Sequence, residues 1–211
     1  MSEPSPSFVS LVSQAGERAA ATPVSSLFLE RWSSRALTGE PIPDKVLFAL
    51  FEAARYAPSS YNSQPWRFVF ARRGDEDFDR LYACLSDFNR VWAQNASALV
   101  LVASKAAFVP EGQSEQLLSG SASFDTGAAW ASLALQASLL GWSTRAMGGF
   151  DRDRARAATG APESLKLEAV IAIGKRGDPS LLPEGRRPNE KPNGRKRIEE
   201  IVFAGSFPAD C

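Results

Sequence analysis

Five consecutive residues, Arg31-Trp32-Ser33-Ser34-Arg35, put two guanidiniums and two hydroxyls side by side. Guanidinium forks and short hydroxyl donors suit a phosphate. An exposed helix end of the same composition would need no ligand. A second polar cluster is the loop Pro58-Ser59-Ser60-Tyr61-Asn62-Ser63-Gln64-Pro65-Trp66, whose Ser and Asn side chains and free amides could hydrogen-bond a planar heterocycle. Its flanking prolines stiffen it, which suits preorganisation, but Asx and Ser turns would account for it equally. A third is Gly148-Gly149-Phe150-Asp151, where glycine permits close approach of backbone to a ligand or serves only as a turn. The fourth is residues 186–197, with six basic residues against one acid, Glu190. That stretch could bind nucleic acid, lie in solvent as an arm, or fold its end, Arg195-Lys196-Arg197, onto the phosphate site of the first cluster. Spacing alone does not choose among these.

Composition narrows the chemistry. The 211 residues contain no histidine, so Ser-His-Asp and Cys-His catalysis in their usual forms and imidazole-based zinc sites are excluded. Two distant cysteines, Cys84 and Cys211, make neither a disulfide framework nor a thiolate site, and no metal is expected. An enzyme with this composition must work through carboxylates, Lys, Tyr or a borrowed cofactor. Lys plus Arg equals Asp plus Glu at 24 each, which argues against whole-protein attraction to nucleic acid or membrane. The start, MSEPSPSFVS, lacks a basic region followed by an apolar run, and no apolar stretch reaches bilayer length, so a cytoplasmic protein is expected.

The elements that position these clusters follow from periodicity. Residues 1–7 read as disordered and 25–31 as a short helix. A helix starts at Pro43-Asp44 with Asp44 as N-cap, runs with Val46, Leu47, Leu50, Phe51, Ala54 and Ala57 on one face, and is stopped by Pro58. Residues 66–71 alternate as a strand, 75–85 form an amphipathic helix, and 96–104 and 167–174 are buried strands. Residues 105–122 read as loop. The segment 123–142 is a long helix ending at Gly141, small or apolar nearly all round, and 151–159 is a short helix capped by Asp151 and ended by Gly160. Residues 197–203 form a short helix or strand. The fold class is α+β, a central sheet with helices on both sides.

Taken in order, the motifs resemble the FMN-dependent nitroreductase family from about residue 28 to about 203. The resemblance is carried by Arg31-Trp32-Ser33-Ser34-Arg35, then APSSYNSQPWRF, Phe88-Asn89, and DTGAAWASLALQASLLGWST with Asp125 and Gly127. Gly148-Gly149-Phe150-Asp151 and Arg195-Lys196-Arg197 complete it. It implies a mostly antiparallel sheet flanked by helices, in a homodimer that exchanges extended arms and holds FMN at the subunit interface. Residues 1–24 would then be a flexible or partly helical arm, and 25–211 a single FMN-binding domain with a basic C-terminal arm. The cofactor-binding set carried over is Arg31, Trp32, Ser33, Arg35, Pro58, Ser59, Ser60, Asn62, Asn89, Met147, Gly148, Gly149, Arg195 and Arg197. Arg31, Ser33, Arg195 and Arg197 would bind the phosphate. Arg35 would lie near N1 and O2 of the flavin, and Asn89 at the ring edge. The backbone of Met147, Gly148 and Gly149 would serve N5 and O4. Ser59, Ser60 and Asn62 would reach the neighbouring subunit's cofactor.

The same resemblance implies a ping-pong enzyme: NAD(P)H reduces the flavin, then a small planar acceptor, a nitroaromatic or quinone, is reduced in the same pocket. Phe124 and Trp142 are candidates to line that pocket or, on packing grounds, to be core. Two positions depart from some relatives: Trp92 stands where they carry lysine and Gly148 where they carry glutamate, so charge is removed from the site. The alternatives are a specialised flavin enzyme on the same fold (enoyl or dehalogenating reduction, or flavin fragmentation) and a non-catalytic flavin-binding protein.

Overall fold

Alternation along one strand sets the core. In β4 (Ala98–Lys105) residues Leu99, Leu101 and Ala103 enter one hydrophobic cluster, while Ala98, Val100 and Val102 enter the other. Successive side chains of a strand point to opposite faces, so a continuous apolar run must be covered on both. The neighbour β8 (Leu165–Gly174) divides likewise, with Val170 and Ala172 on one side and Ile171 and Ile173 on the other.

The computed structural model describes residues 9–12 and 18–209. The expected disorder of residues 1–7 and the terminal Cys211 lie outside them. Ser33–Glu190 forms one compact unit. Its sheet has the order β3-β4-β8-β7, with β3 (Trp66–Arg72) and β7 (Ser143–Met147) at the edges and every pairing antiparallel. On one face pack α2 (Asp44–Arg55) and α5 (Ala122–Leu139), through Leu47, Leu50, Ala54, Ala129, Leu133 and Ala137. On the other pack α3 (Glu76–Ala83), α4 (Asp87–Ala93) and α6 (Arg152–Thr159), through Phe78, Leu81, Trp92 and Ala155. The expected α+β class, with a central antiparallel sheet flanked by helices, is what the chain adopts.

Several boundaries differ from the sequence reading. Asp44 is the first helical residue rather than the cap: Pro43 holds the cap position, and the Asp44 carboxylate pairs with Arg72 on β3 at 2.7 Å. The stretch read as loop at 105–122 contains a two-residue hairpin, β5 (Ala107–Phe108) with β6 (Leu117–Leu118). Helix α4 and strand β7 were not anticipated. Asp151 does cap α6, accepting from the Arg154 amide at 3.0 Å, and Gly160 ends it at φ +65°.

A second compact unit comprises described residues 9–12, 18–32 and 191–209. It contains the antiparallel pair β1 (Val9–Val12) and β2 (Ala19–Ser25), followed by α1 (Ser26–Glu30). The helix at 25–31 is thus present. Ahead of it, Val9–Val12 and Ala19–Ser25 are strand, where the expectation for 1–24 allowed part helix. Near the C-terminal end, Ile198–Glu200 is a single 3-10 turn. Among the described residues no helix is long and apolar enough to cross a membrane.

Candidate active site

The first cluster is divided by the fold. Arg31 ends α1, and its guanidinium is half-buried beside Arg195. Burial, then repulsion from Arg195, pulls its pKa below the usual guanidinium value. The tail that carries Arg195 is fastened there by a residue the sequence reading did not single out. Arg18 is buried, and its guanidinium donates to the carbonyls of Leu29 at 3.2 Å, Arg31 at 2.8 Å and Asn193 at 3.0 Å. Arg195 and Arg197 are exposed; Arg197 pairs with Glu199 at 3.2 Å. Of the tail's last arginines, Arg195 is near enough to act on Arg31, and Trp32, next to Arg31 in sequence, is half-buried.

Ser33, Ser34 and Arg35 belong to the larger unit. The two hydroxyls of the pentad have different fates: Ser33 is half-buried, whereas Ser34 is fully buried and donates to Glu190 Oε1 at 2.6 Å. The same oxygen accepts the Arg35 amide at 2.6 Å and the Ala36 amide at 2.8 Å. Arg35 Nη1 lies 3.9 Å from Glu190 Oε2. Arg35 Nε is buried without a hydrogen-bond partner. Arg145, on β7, donates to the Ser33 carbonyl and lies 5.7 Å over the Trp92 ring. Burial, then repulsion from Arg35, lowers its pKa to about 10 against the attraction of Glu190.

The turn after β7 is built against the α3–α4 junction. Leu85 bridges Phe150, the Ser86 amide donates to the Gly149 carbonyl at 3.1 Å, and the Asp151 amide donates to the Cys84 carbonyl at 2.8 Å. The Asn89 side-chain amide donates to that same Gly149 carbonyl at 2.9 Å. Asn89 is thus placed as the strut of the glycine turn. The two glycines serve different needs. A Cβ at Gly149 would come within 3.0 Å of Ser86 Oγ and 3.1 Å of Asn89 Nδ2, so a side chain there would press on both groups that hold the turn. A Cβ at Gly148 would meet nothing within 4 Å, so there the missing side chain leaves exposed backbone open to a ligand. Met147 is buried.

The Pro58–Pro65 loop carries concentrated backbone strain. Tyr61, Asn62 and Gln64 have φ of 53°, 52° and 45°, a left-handed conformation costly to residues with a Cβ. Local bonds hold it: the Gln64 amide donates to Ser59 Oγ at 3.0 Å and the Asn62 amide to the Ser59 carbonyl at 3.0 Å. Asp125 at the start of α5 accepts the Ser60 amide at 3.1 Å and the Ser121 hydroxyl at 2.9 Å. The Tyr61 ring lies 5.9 Å from that of Phe108 on β5. Pro58, Ser60 and Asn62 are exposed and Ser59 half-buried.

Two sequence readings change here, and the core reading of Trp142 stands. Trp92 is 1% exposed, a core residue, and Arg145 returns a positive charge beside it, so the replacement of lysine does not empty the region of charge. Phe124 is 81% exposed and is not core, while Trp142 is buried with Lys175 Nζ 4.8 Å over its ring. The residues that reasoning from sequence missed are Arg18, Arg145 and Glu190.

The antiparallel sheet, clad on both faces by helices, carries the glycine turn and the strained polar loop. The nitroreductase family model matches residues 29–175. The chain belongs to the nitroreductase family and, with it, to the oxidoreductases. A solved structure of an oxidoreductase containing FMN is 41% identical with a TM-score of 0.86, covering 90% of this chain and 96% of its own. An uncharacterized 15.4 kDa protein of the ask 5′ region in Mycolicibacterium smegmatis is 34% identical over 150 residues, 67% of this chain and 97% of that protein. A protein of Polynucleobacter asymbioticus provisionally named NADH dehydrogenase/NAD(P)H nitroreductase is 26% identical over 177 residues, 77% of this chain and 90% of its own.

Proposed function

We propose that this chain is an FMN-dependent oxidoreductase that uses NAD(P)H to reduce small planar acceptors such as nitroaromatics or quinones, and that it works as a homodimer. The observation that carries the reading is the set of groups whose needs a flavin mononucleotide would meet. Arg31 and Arg195 are like charges held together, an arrangement that a phosphate of charge near −2 stabilises. Arg35 Nε is a buried donor still to be satisfied. Gly148 exposes backbone with clearance on its side-chain face. The 41% identical oxidoreductase that contains FMN supports the same cofactor. The name of the Polynucleobacter relative supports NAD(P)H as donor.

On this reading Arg31, Arg195 and Arg197, with the Ser33 hydroxyl, hold the phosphate, and Trp32 borders it. Arg35 and the backbone of Met147, Gly148 and Gly149 would hold the ring. Asn89 acts by holding the Gly149 carbonyl rather than by touching the ring. Pro58, Ser59, Ser60 and Asn62 serve the neighbouring subunit's cofactor, and their loop's strain is of the kind that accumulates where geometry is fixed for binding. When bound, FMN supplies the two-electron chemistry, taking hydride from the nicotinamide and passing reducing equivalents to the acceptor. The protein's own part is to bind, orient and bias charge, and no strong base is required of a chain that has no histidine.

A visible absorption spectrum of the purified protein with added FMN, followed by anaerobic NAD(P)H, tests this directly. Expected are flavin bands at about one per subunit that bleach with nicotinamide. Failure to bind FMN in excess overturns the cofactor. Binding without bleaching overturns the NAD(P)H-dependent activity and leaves a flavin-binding protein.

A further inference from the structure

Glu190 is the one acid in the basic stretch 186–197, and the flavin contacts proposed above do not use it. Its side chain is 2% exposed. The two carboxylate oxygens are treated differently. Oε1 accepts three hydrogen bonds, from Ser34 Oγ and the amides of Arg35 and Ala36. Oε2 is buried, accepts none, and faces Arg35 Nη1 at 3.9 Å. A neutral amide carbonyl could take the three bonds at Oε1, so backbone anchoring by itself does not call for an anion. What the charge adds is attraction for two guanidiniums that repel each other: Arg35, whose Nη1 faces Oε2, and Arg145, which donates to the Ser33 carbonyl beside the clamped backbone. Burying two cations without an anion is costly, and one carboxylate leaves the group at a net charge of about +1.

We infer that Glu190 is a positioning residue that clamps the Ser34–Arg35–Ala36 backbone and, through its charge, balances the Arg35–Arg145 pair, so that it sets how much positive potential reaches a bound redox cofactor. The part about the cofactor rests on the FMN reading; the charge balance does not. Removing the negative charge leaves more positive potential at the site. That favours the electron-rich, reduced state of the cofactor.

The test uses Glu190→Gln in the full chain and has two arms. In the FMN-loaded protein, Glu190→Gln is expected to raise the affinity ratio for reduced over oxidised FMN roughly tenfold, an upward shift of ~30 mV in the two-electron potential. A purely structural clamp would leave the potential unmoved, and an unmoved or lowered potential overturns the proposal. In the apoprotein, urea unfolding of wild type, Glu190→Gln, Arg145→Met and the double variant forms a cycle. Glu190→Gln should lower the folding equilibrium constant at least tenfold with Arg145 present and much less in the Arg145→Met background. Additive effects overturn the charge balance. If Glu190→Gln does not fold alone, the double variant should restore folding, and failure to do so also overturns it. If wild type binds no FMN, the cofactor reading fails, and the apoprotein cycle still decides whether Glu190 balances the cations.

Discussion

Arg35 is held at both ends of its role. Its amide is fixed by Glu190 Oε1, its guanidinium is near Glu190 Oε2, and its Nε stays unsatisfied within the protein. A cation so fixed acts on whatever charge develops beside it, because a preorganised group need not reorient when the charge appears. Arg35→Ala is therefore expected to lower the two-electron reduction potential of bound FMN, by on the order of 30 mV for each tenfold loss of preference for the reduced form. The sign is opposite to that expected for Glu190→Gln, and spectroelectrochemical titration of the two variants side by side reads both. A potential unchanged in Arg35→Ala removes Arg35 from any tuning role. The residues of this group were unequally legible. Arg35 could be named from the pentad, but Arg145 and Glu190 could not. Their partners lie 112 residues away at Ser33, for Arg145, and 154 to 156 away at Ser34 to Ala36, for Glu190. A lone charged residue in sequence looks like a solvated one, and only the singularity of Glu190 in a basic run hinted otherwise.

At the scale of elements, the loop between α2 and β3 stores strain at three non-glycine residues, Tyr61, Asn62 and Gln64. Such conformations cost of order 1 kcal/mol each and persist only where neighbours impose them. Gln64 is the position where strain separates most simply from contact. Its amide bond to Ser59 Oγ is made by backbone, and its exposed side chain reaches only the Asn62 carbonyl at 3.2 Å. Gln64→Gly should keep the anchoring bond and relieve the left-handed φ, a gain partly offset by glycine's greater freedom in the unfolded chain, so stability should rise by up to about 0.5 kcal/mol in chemical denaturation. A loss of stability would mean that the Gln64 side chain itself supports the loop. Long elements of one character were readable in advance: α2 and β3 by their periodicity, α5, β4 and β8 by sustained small or apolar runs, and α6 by its cap and its terminating glycine. Helix α4 has seven residues, too few for a face to declare itself. Strand β7, STRAM, is a five-residue edge strand that mixes exposed and buried positions without strict alternation. The hairpin β5–β6 has two residues a side, below what any pattern can show.

For the whole molecule, stability and binding are expected to separate. Both hydrophobic clusters lie inside Ser33–Glu190, on the two faces of the sheet. Arg31 and Arg195 belong to the other unit. Changing them should leave the ligand-free melting temperature nearly unaltered while weakening FMN binding. A ligand that binds only the folded state stabilises it by RT ln(1 + [L]/Kd), about 2.7 kcal/mol at a hundredfold excess over Kd. For a chain of this size that is a rise of roughly 5–10 °C. Each charge-assisted hydrogen bond to the phosphate is worth about 1.5–3 kcal/mol, so Arg31→Ala with Arg195→Ala should weaken binding at least about a hundredfold. At the same FMN concentration the stabilisation then falls to ~0.4 kcal/mol and the rise to about 1 °C. Riboflavin, which keeps the ring and lacks the phosphate, provides the control: it should shift wild type and the double variant equally. A double variant that still rises with FMN as wild type does would take the phosphate away from Arg31 and Arg195. An FMN shift lost together with an equal loss of the riboflavin shift would mean that the two arginines support the ring site rather than the phosphate.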